Sequence, residues 1–151
     1  MNRGHKVRPL FTKDIRAEAQ KLKDSFNIIG DYFPIVQLIE LMHEKGWLEF
    51  EIVEKVLMPN DYGLTYPKRN LIKIREDVYD QAVLGDGFGR FTVAHELGHL
   101  TIHQHETVYA RNEHGGSHKT IEDSEWQADK FAQELLIDTR LLLPNSKPWE
   151  I

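Results

Sequence analysis

The run Arg90-Phe91-Thr92-Val93-Ala94-His95-Glu96-Leu97-Gly98-His99-Leu100 contains an H-E-x-x-H, and no other stretch constrains the chain as tightly. On an α-helix, residues four apart lie roughly 40° apart around the axis and about 6 Å along it, so His95 and His99 share a face and can converge on one cation. Glu96 falls on the flank of that face. It reaches a water beside the cation without being a ligand, which is what a general base requires. Leu97 and Leu100 point away and can bury the helix in a core.

Two histidines leave a zinc site unfinished, because catalytic zinc takes three protein ligands and keeps a fourth position for water. His105 stands at the third-histidine position of the pattern H-E-x-x-H-x-x-G-x-x-H. The glycine of that pattern is Ile102 here, a β-branched residue poorly suited to positive φ, and no methionine follows to make the accompanying turn. Both facts argue against His105. His103 lies on the same helix but about 12 Å along the axis from His95, so one straight helix cannot place all three histidines on one ion. A place behind a ligand, or in the core, suits His103 better.

A third ligand is available on a later helix. Glu125-Trp126-Gln127-Ala128-Asp129 puts Glu125 and Asp129 on one face, four residues apart. Glu125 is the leading third ligand. Asp129 can then accept the free ring N–H of a ligating histidine, His95 foremost, fixing its tautomer. Glu122, one turn earlier, is the rival ligand, but the residue four positions on is Trp126 rather than an acid. The plainer reading, that Glu125 and Asp129 only form a solvated helix face, is set against their following an H-E-x-x-H on a second amphipathic helix.

Composition excludes several other chemistries. The chain has 151 residues, no cysteine and a net charge of -5. There is therefore no disulfide, thiolate ligand or cysteine nucleophile, and no overall basic surface to grip nucleic acid. Met1 to Leu10 lacks the apolar run of a secretory signal and no stretch approaches a membrane span, so a cytoplasmic protein is the expectation.

One domain is expected over residues 1–151, with a solvated basic arm (1–11), a helical part (12–46), a sheet with the metal helices (47–144) and a tail (145–151). Thr12 is a plausible cap for a helix carrying Ile15, Ala19, Leu22 and Phe26. Pro34 suits the first turn of a second helix, which Gly46 ends. Residues 50–57, 62–66 and 71–74 read as strands of a small, largely antiparallel sheet, with a turn at Pro67-Lys68-Arg69-Asn70. A short helix over 75–84, a glycine loop (Gly85, Gly87, Gly89), the motif helix from about 90 to 103 and a helix over 121–138 complete the chain. The polar loop 106–120 between the metal helices is expected to be a mobile lid. Its Tyr109, His114 and His118 are possible oxyanion donors, although ordinary loop surface is the simpler reading.

The stretch Arg90 to His99, followed by His103, resembles the ImmA/IrrE family of zinc metallopeptidases, and so does Glu125-Trp126-Gln127-Ala128-Asp129-Lys130-Phe131-Ala132-Gln133-Glu134-Leu135-Leu136. Gly63-Leu64-Thr65-Tyr66-Pro67 and Ile74-Arg75-Glu76-Asp77-Val78-Tyr79 look like phage- and toxin–antitoxin-associated members. The resemblance covers about residues 60–138; members often have Asn where this chain has Asp129, and both residues offer an acceptor oxygen. It implies an α+β, minimal gluzincin-like fold: a small sheet packed with two zinc helices and a helical amino-terminal part. It also implies a zinc-dependent endopeptidase acting on a helix-turn-helix repressor or antitoxin in a bacterial, phage or mobile-element system. Zn2+ would be held by His95, His99 and Glu125, with Glu96 as base. The alternative is a toxin or anti-repressor that only binds its partner around a structural or vestigial zinc site. Residues 12–46 are too short, and have the wrong turn, for a helix-turn-helix of the chain's own.

Overall fold

The structure, a computed structural model, describes residues 4–104 and 118–137. Its first two helices follow from apolar spacing. α1 (Thr12–Ser25) buries Ile15 and Ala19, and α2 (Ile35–Glu44) buries Ile35, Leu38 and Ile39. The α1 cap differs from expectation. Phe11 occupies it, and its free N–H is taken at 3.0 Å by the Asp14 carboxylate inside the first turn, so no hydroxyl at Thr12 is needed. Pro34 stands just before α2, and Gly46, at φ 76°, lies just past its end.

Three strands form one sheet in the order β1-β3-β2: β1 (Glu49–Val53), β2 (Gly63–Tyr66) and β3 (Leu71–Arg75). β2 and β3 are an antiparallel hairpin closed by Pro67–Arg69 and by Asn70 in the left-handed region. β1 pairs with β3 in parallel, Glu49 opposite Leu71 through Val53 opposite Arg75. The sheet is therefore mixed, not largely antiparallel. The chain reverses once between β1 and β2 and again between β2 and β3. A third strand that inserts between the first two must then run the same way as the first. The first strand also stops earlier than expected, since Lys55–Leu57 is a 3-10 turn with Val56 and Leu57 exposed.

α3 (Glu76–Val83) leads into α4 (Gly87–His103), and α5 (Ser124–Leu136) closes the described chain. α4 starts three residues before the expected point. Asp86 caps it by accepting the Gly89 N–H at 3.1 Å, so Gly87 and Gly89 are helical and only Gly85, at φ 89°, belongs to the loop. α4 is the central element. It packs against α5, α3, β2 and α2, and is buried on most of its circumference. α1 lies on α5, where Arg16 meets Glu134 at 2.7 Å. Phe33, Ile39, Ile72, Ile74, Leu97, Phe131 and Leu135 join these layers in one apolar core. Among the described residues no helix is long and apolar enough to cross a membrane.

The amino-terminal arm is not a solvated tail over its described part. Val7 is 3% exposed. Val7 and Leu10 donate backbone N–H groups to the carbonyls of Glu122 and Ile121, Ser124 N–H donates to the His5 carbonyl, and Lys6 pairs with Asp123 as an antiparallel bridge. The arm's basic side chains mislead because the docking is done by its backbone.

Candidate metal centre

α4 and α5 bring together the groups that their spacings place on single faces. Ligand atoms of His95, His99 and Glu125 lie within 4.8 Å of one another. Glu125 bridges the two rings, with Oε1 at 3.2 Å from His95 Nε2 and Oε2 at 2.7 Å from His99 Nε2. Each ring is also held from behind. His95 Nδ1 meets Asp129 Oδ1 at 2.7 Å, and His99 Nδ1 meets His103 Nδ1 at 3.0 Å. His103 in turn places Nε2 at 2.8 Å from Gln127 Oε1. The α5 register that sets Glu125 and Asp129 is anchored by Asp123, whose Oδ2 accepts the Trp126 N–H at 2.9 Å.

Electrostatics at the cluster follow from burial and pairing. Burial opposes charge on His95, but its hydrogen bonds to Asp129 and Glu125 outweigh that and raise it to about 10. Burial likewise opposes charge on Glu125, yet both histidines hold it well below the usual carboxylate range. His103 is pushed down to about 4, chiefly by burial and then by its neighbour His99, so it is a neutral ring at neutral pH. Burial raises the Glu96 carboxyl, against the opposing effect of the two histidines.

The donor set fits zinc. Two imidazole nitrogens and one carboxylate are the His2Glu set of catalytic zinc sites, and both rings have their other nitrogen already committed. A dication held among these atoms would take the place of the proton shared between the carboxylate and the rings. Glu122 is not part of the group. It ends the turn Thr120–Glu122, where its carboxylate accepts the Lys119 N–H at 2.9 Å.

A cleft of about 440 Å³ opens over this face. Glu96, His99, His103 and Glu125 line one side, and Gly63, Leu64 and Thr65 of β2 with Gly4, His5 and Val7 of the arm line the others. Glu96 is 7% exposed, and Thr65 Oγ1 lies 2.7 Å from its Oε1 and 3.1 Å from its main-chain carbonyl. Thr65, His5 and Gln127 are site residues that no spacing rule picked out. For Gln127 a signal existed: it sits on the apolar stripe of α5 with Ala128, Phe131 and Leu135, and a buried amide there requires partners. His118 lies elsewhere, its Nε2 at 2.7 Å from Asp123 Oδ1, and it is not among the cleft residues. Tyr109, His114, His105 and all but the last residues of the proposed lid fall outside the described residues.

No curated protein and no solved structure gives a match to this chain. A peptidase family model, described as the IrrE N-terminal-like domain, matches residues 85–148, which include α4, α5 and every residue of the His95, His99, Glu125 and Asp129 cluster. The segment carrying α4 and α5 is thus similar to the ImmA/IrrE family, and the match supports a zinc metallopeptidase-like fold.

Proposed function

We propose that the protein is a zinc-dependent endopeptidase. The observation that carries this reading is the buried carboxylate of Glu96, held by Thr65 beside a converged His95, His99 and Glu125 set in an open cleft. A site built only to bind metal has no use for a fourth residue, a non-ligating acid, at that place. His95, His99 and Glu125 would hold the zinc, which when bound supplies Lewis acidity toward a carbonyl oxygen and toward water.

The chain's own groups do the rest. Thr65 donates to Glu96 Oε1, which fixes the carboxylate and leaves Oε2 to take a proton from the attacking water. Burial raises Glu96, bringing its basicity closer to working pH. As the water oxygen bonds to the scissile carbonyl carbon and the C–N bond breaks, Glu96 passes the proton to the leaving amine nitrogen. One acid and one amine result, with no other reactant consumed. β2 is an edge strand of the sheet and lines the cleft, so an extended substrate segment can pair along it.

The substrate we propose is a helix-turn-helix repressor or antitoxin-type regulator of a bacterial, phage or mobile-element system. Support comes from the resemblance of residues 63–67, residues 74–79 and the two metal helices to phage- and toxin–antitoxin-associated ImmA/IrrE members, which act on regulators of that kind. Co-expression of the chain with such a neighbouring protein should give a metal-dependent cut. Glu96→Gln should abolish the cut, lowering the rate by at least about 100-fold, while the purified variant keeps its zinc and still binds the partner. A variant that retains zinc and the full biological effect would instead identify a protein that acts by binding alone.

A further inference from the structure

A chain of three hydrogen bonds runs from the amino-terminal arm to the ring of His99, and its direction is fixed at one end. Gln127 is completely buried. Its amide nitrogen lies 2.8 Å from the Arg8 carbonyl and 2.8 Å from the Ile121 carbonyl. Two carbonyl oxygens accept only, so both must face the –NH2 group, and the flipped amide would set oxygen against oxygen twice. Oε1 is therefore the atom facing His103 Nε2 at 2.8 Å, and that ring nitrogen must carry the hydrogen. A neutral His103 then has a bare lone pair at Nδ1. The 3.0 Å contact between His99 Nδ1 and His103 Nδ1 needs one hydrogen, which His99 must supply. With its hydrogen on Nδ1, His99 leaves Nε2, which lies 2.7 Å from Glu125 Oε2, as the nitrogen that a metal would take.

We propose that Gln127 is a positioning residue that fixes the tautomer of His99 through His103, and that the arm fixes Gln127 through the Arg8 carbonyl. This rests on the reading of His99 as a zinc ligand. It assigns each ring a different device. His95 is set by a carboxylate on α5 that takes its Nδ1 hydrogen directly, whereas His99 is set by a neutral relay ending on backbone outside both metal helices. The neutral relay suits the site's charge. Glu96, Glu125 and Asp129 already place three carboxylates around two imidazoles, one more than a dication offsets, and a further carboxylate behind His99 would widen that excess.

The test uses the full chain and two readouts besides activity: zinc affinity by competition with a chromophoric chelator, and the nitrogen–proton correlation spectrum of the imidazoles in zinc-free protein. In wild type His103 should carry its hydrogen at Nε2. Gln127→Leu should lose that preference and weaken zinc by about 10-fold or more. Gln127→Glu keeps an acceptor for His103 but loses both donors, so it should lower thermal stability while its zinc affinity stays above that of Gln127→Leu. A purely structural Gln127 predicts equal zinc loss in the two variants, or none in either, and would overturn the proposal. So would a wild-type His103 protonated at Nδ1, a result that stands even if Gln127→Leu does not fold. His99→Ala separates the two readings. If it binds zinc as wild type does, the metal-site reading fails; if it loses zinc while both Gln127 variants bind normally, only the relay fails.

Discussion

The helix wall of the cleft works through side chains, and the wall facing it works largely through backbone. On α4 and α5, His95, His99, Glu125, Asp129 and Glu96 each contribute a side-chain atom whose position follows from the helical repeat. Opposite them, β2 offers an edge that no other strand among the described residues pairs with. The arm offers main-chain groups of Gly4, His5, Val7 and Leu10 that pair with Asp123, Ser124, Glu122 and Ile121. Thr65 is the exception, a side chain on the backbone wall that reaches across to Glu96. The difference implies different sensitivities. The helix wall should be broken by deleting side-chain atoms, and the backbone wall by adding them.

The sharpest test of the helix wall is Glu125 against Glu122, two acids three residues apart. Glu125→Ala removes the carboxylate that spans both imidazoles and should leave the purified protein without stoichiometric zinc. Glu122→Ala removes only a contact to the Lys119 N–H and should retain it. Equal zinc content in Glu125→Ala and wild type would break the assignment. Asp129→Ala should cost less, about 10- to 100-fold in zinc affinity, because it frees the His95 ring without deleting a ligand. Asp129→Asn retains an acceptor oxygen and should fall between Asp129→Ala and wild type. A titration in which neither variant differs from wild type would remove Asp129 from the site.

These effects explain what was legible in the sequence. The H-E-x-x-H and the Glu125/Asp129 pair were readable because a helix converts sequence spacing into direction. The three strands were readable from turn residues and β-branched runs, but their order was not. Nothing in the apolar pattern of 71–75 says that β3 inserts between β1 and β2, and that insertion makes one pairing parallel. The arm was misread for a related reason. Lys6 and Arg8 advertise solvent, whereas the chain docks through N–H and C=O groups that every residue has, leaving the buried Val7 as its main sequence signal. Thr65 is an ordinary strand residue until the fold sets it against Glu96.

Gly63 tests the backbone wall at its closest approach to the chemistry. A Cβ there would stand 2.9 Å from Glu96 Cγ and 3.1 Å from Glu96 Oε2. Gly63→Ala should therefore push the Glu96 carboxylate off its bond with Thr65 and lower turnover by about 10-fold, since small displacements of a reacting group are costly. Zinc affinity should be unchanged, because neither residue is in the ligand set. Zinc loss matching the loss of turnover would show that β2 supports the metal ligands themselves, and the division between the two walls would fail.

Gly4 carries the smallest expected effect and tests whether the arm is part of the wall or only a cover. A Cβ at Gly4 would stand 2.4 Å from Ser124 Oγ, 2.8 Å from Glu125 Cγ and 2.9 Å from Glu125 N. The serine hydroxyl can turn away, but Glu125 N is backbone in the first turn of α5 and cannot yield without moving a ligand. The arm is the softer partner and should lift. Lifting weakens the bonds from Gly4 N–H to Asp123 Oδ1 at 2.8 Å and from His5 N–H to Ser124 Oγ at 2.9 Å. Gly4→Ala should then lose about 1–3 kcal/mol of stability in chemical denaturation, the usual cost of overpacking. Its zinc affinity should fall by less than that of Asp129→Ala, because Val7 and Leu10 still hold the arm beyond the lifted segment. A Gly4→Ala protein as stable as wild type would mean that the arm's first residues do not dock in solution. A zinc loss exceeding that of Asp129→Ala would mean that α5, rather than the arm, gives way, and that the backbone wall sets the position of Glu125.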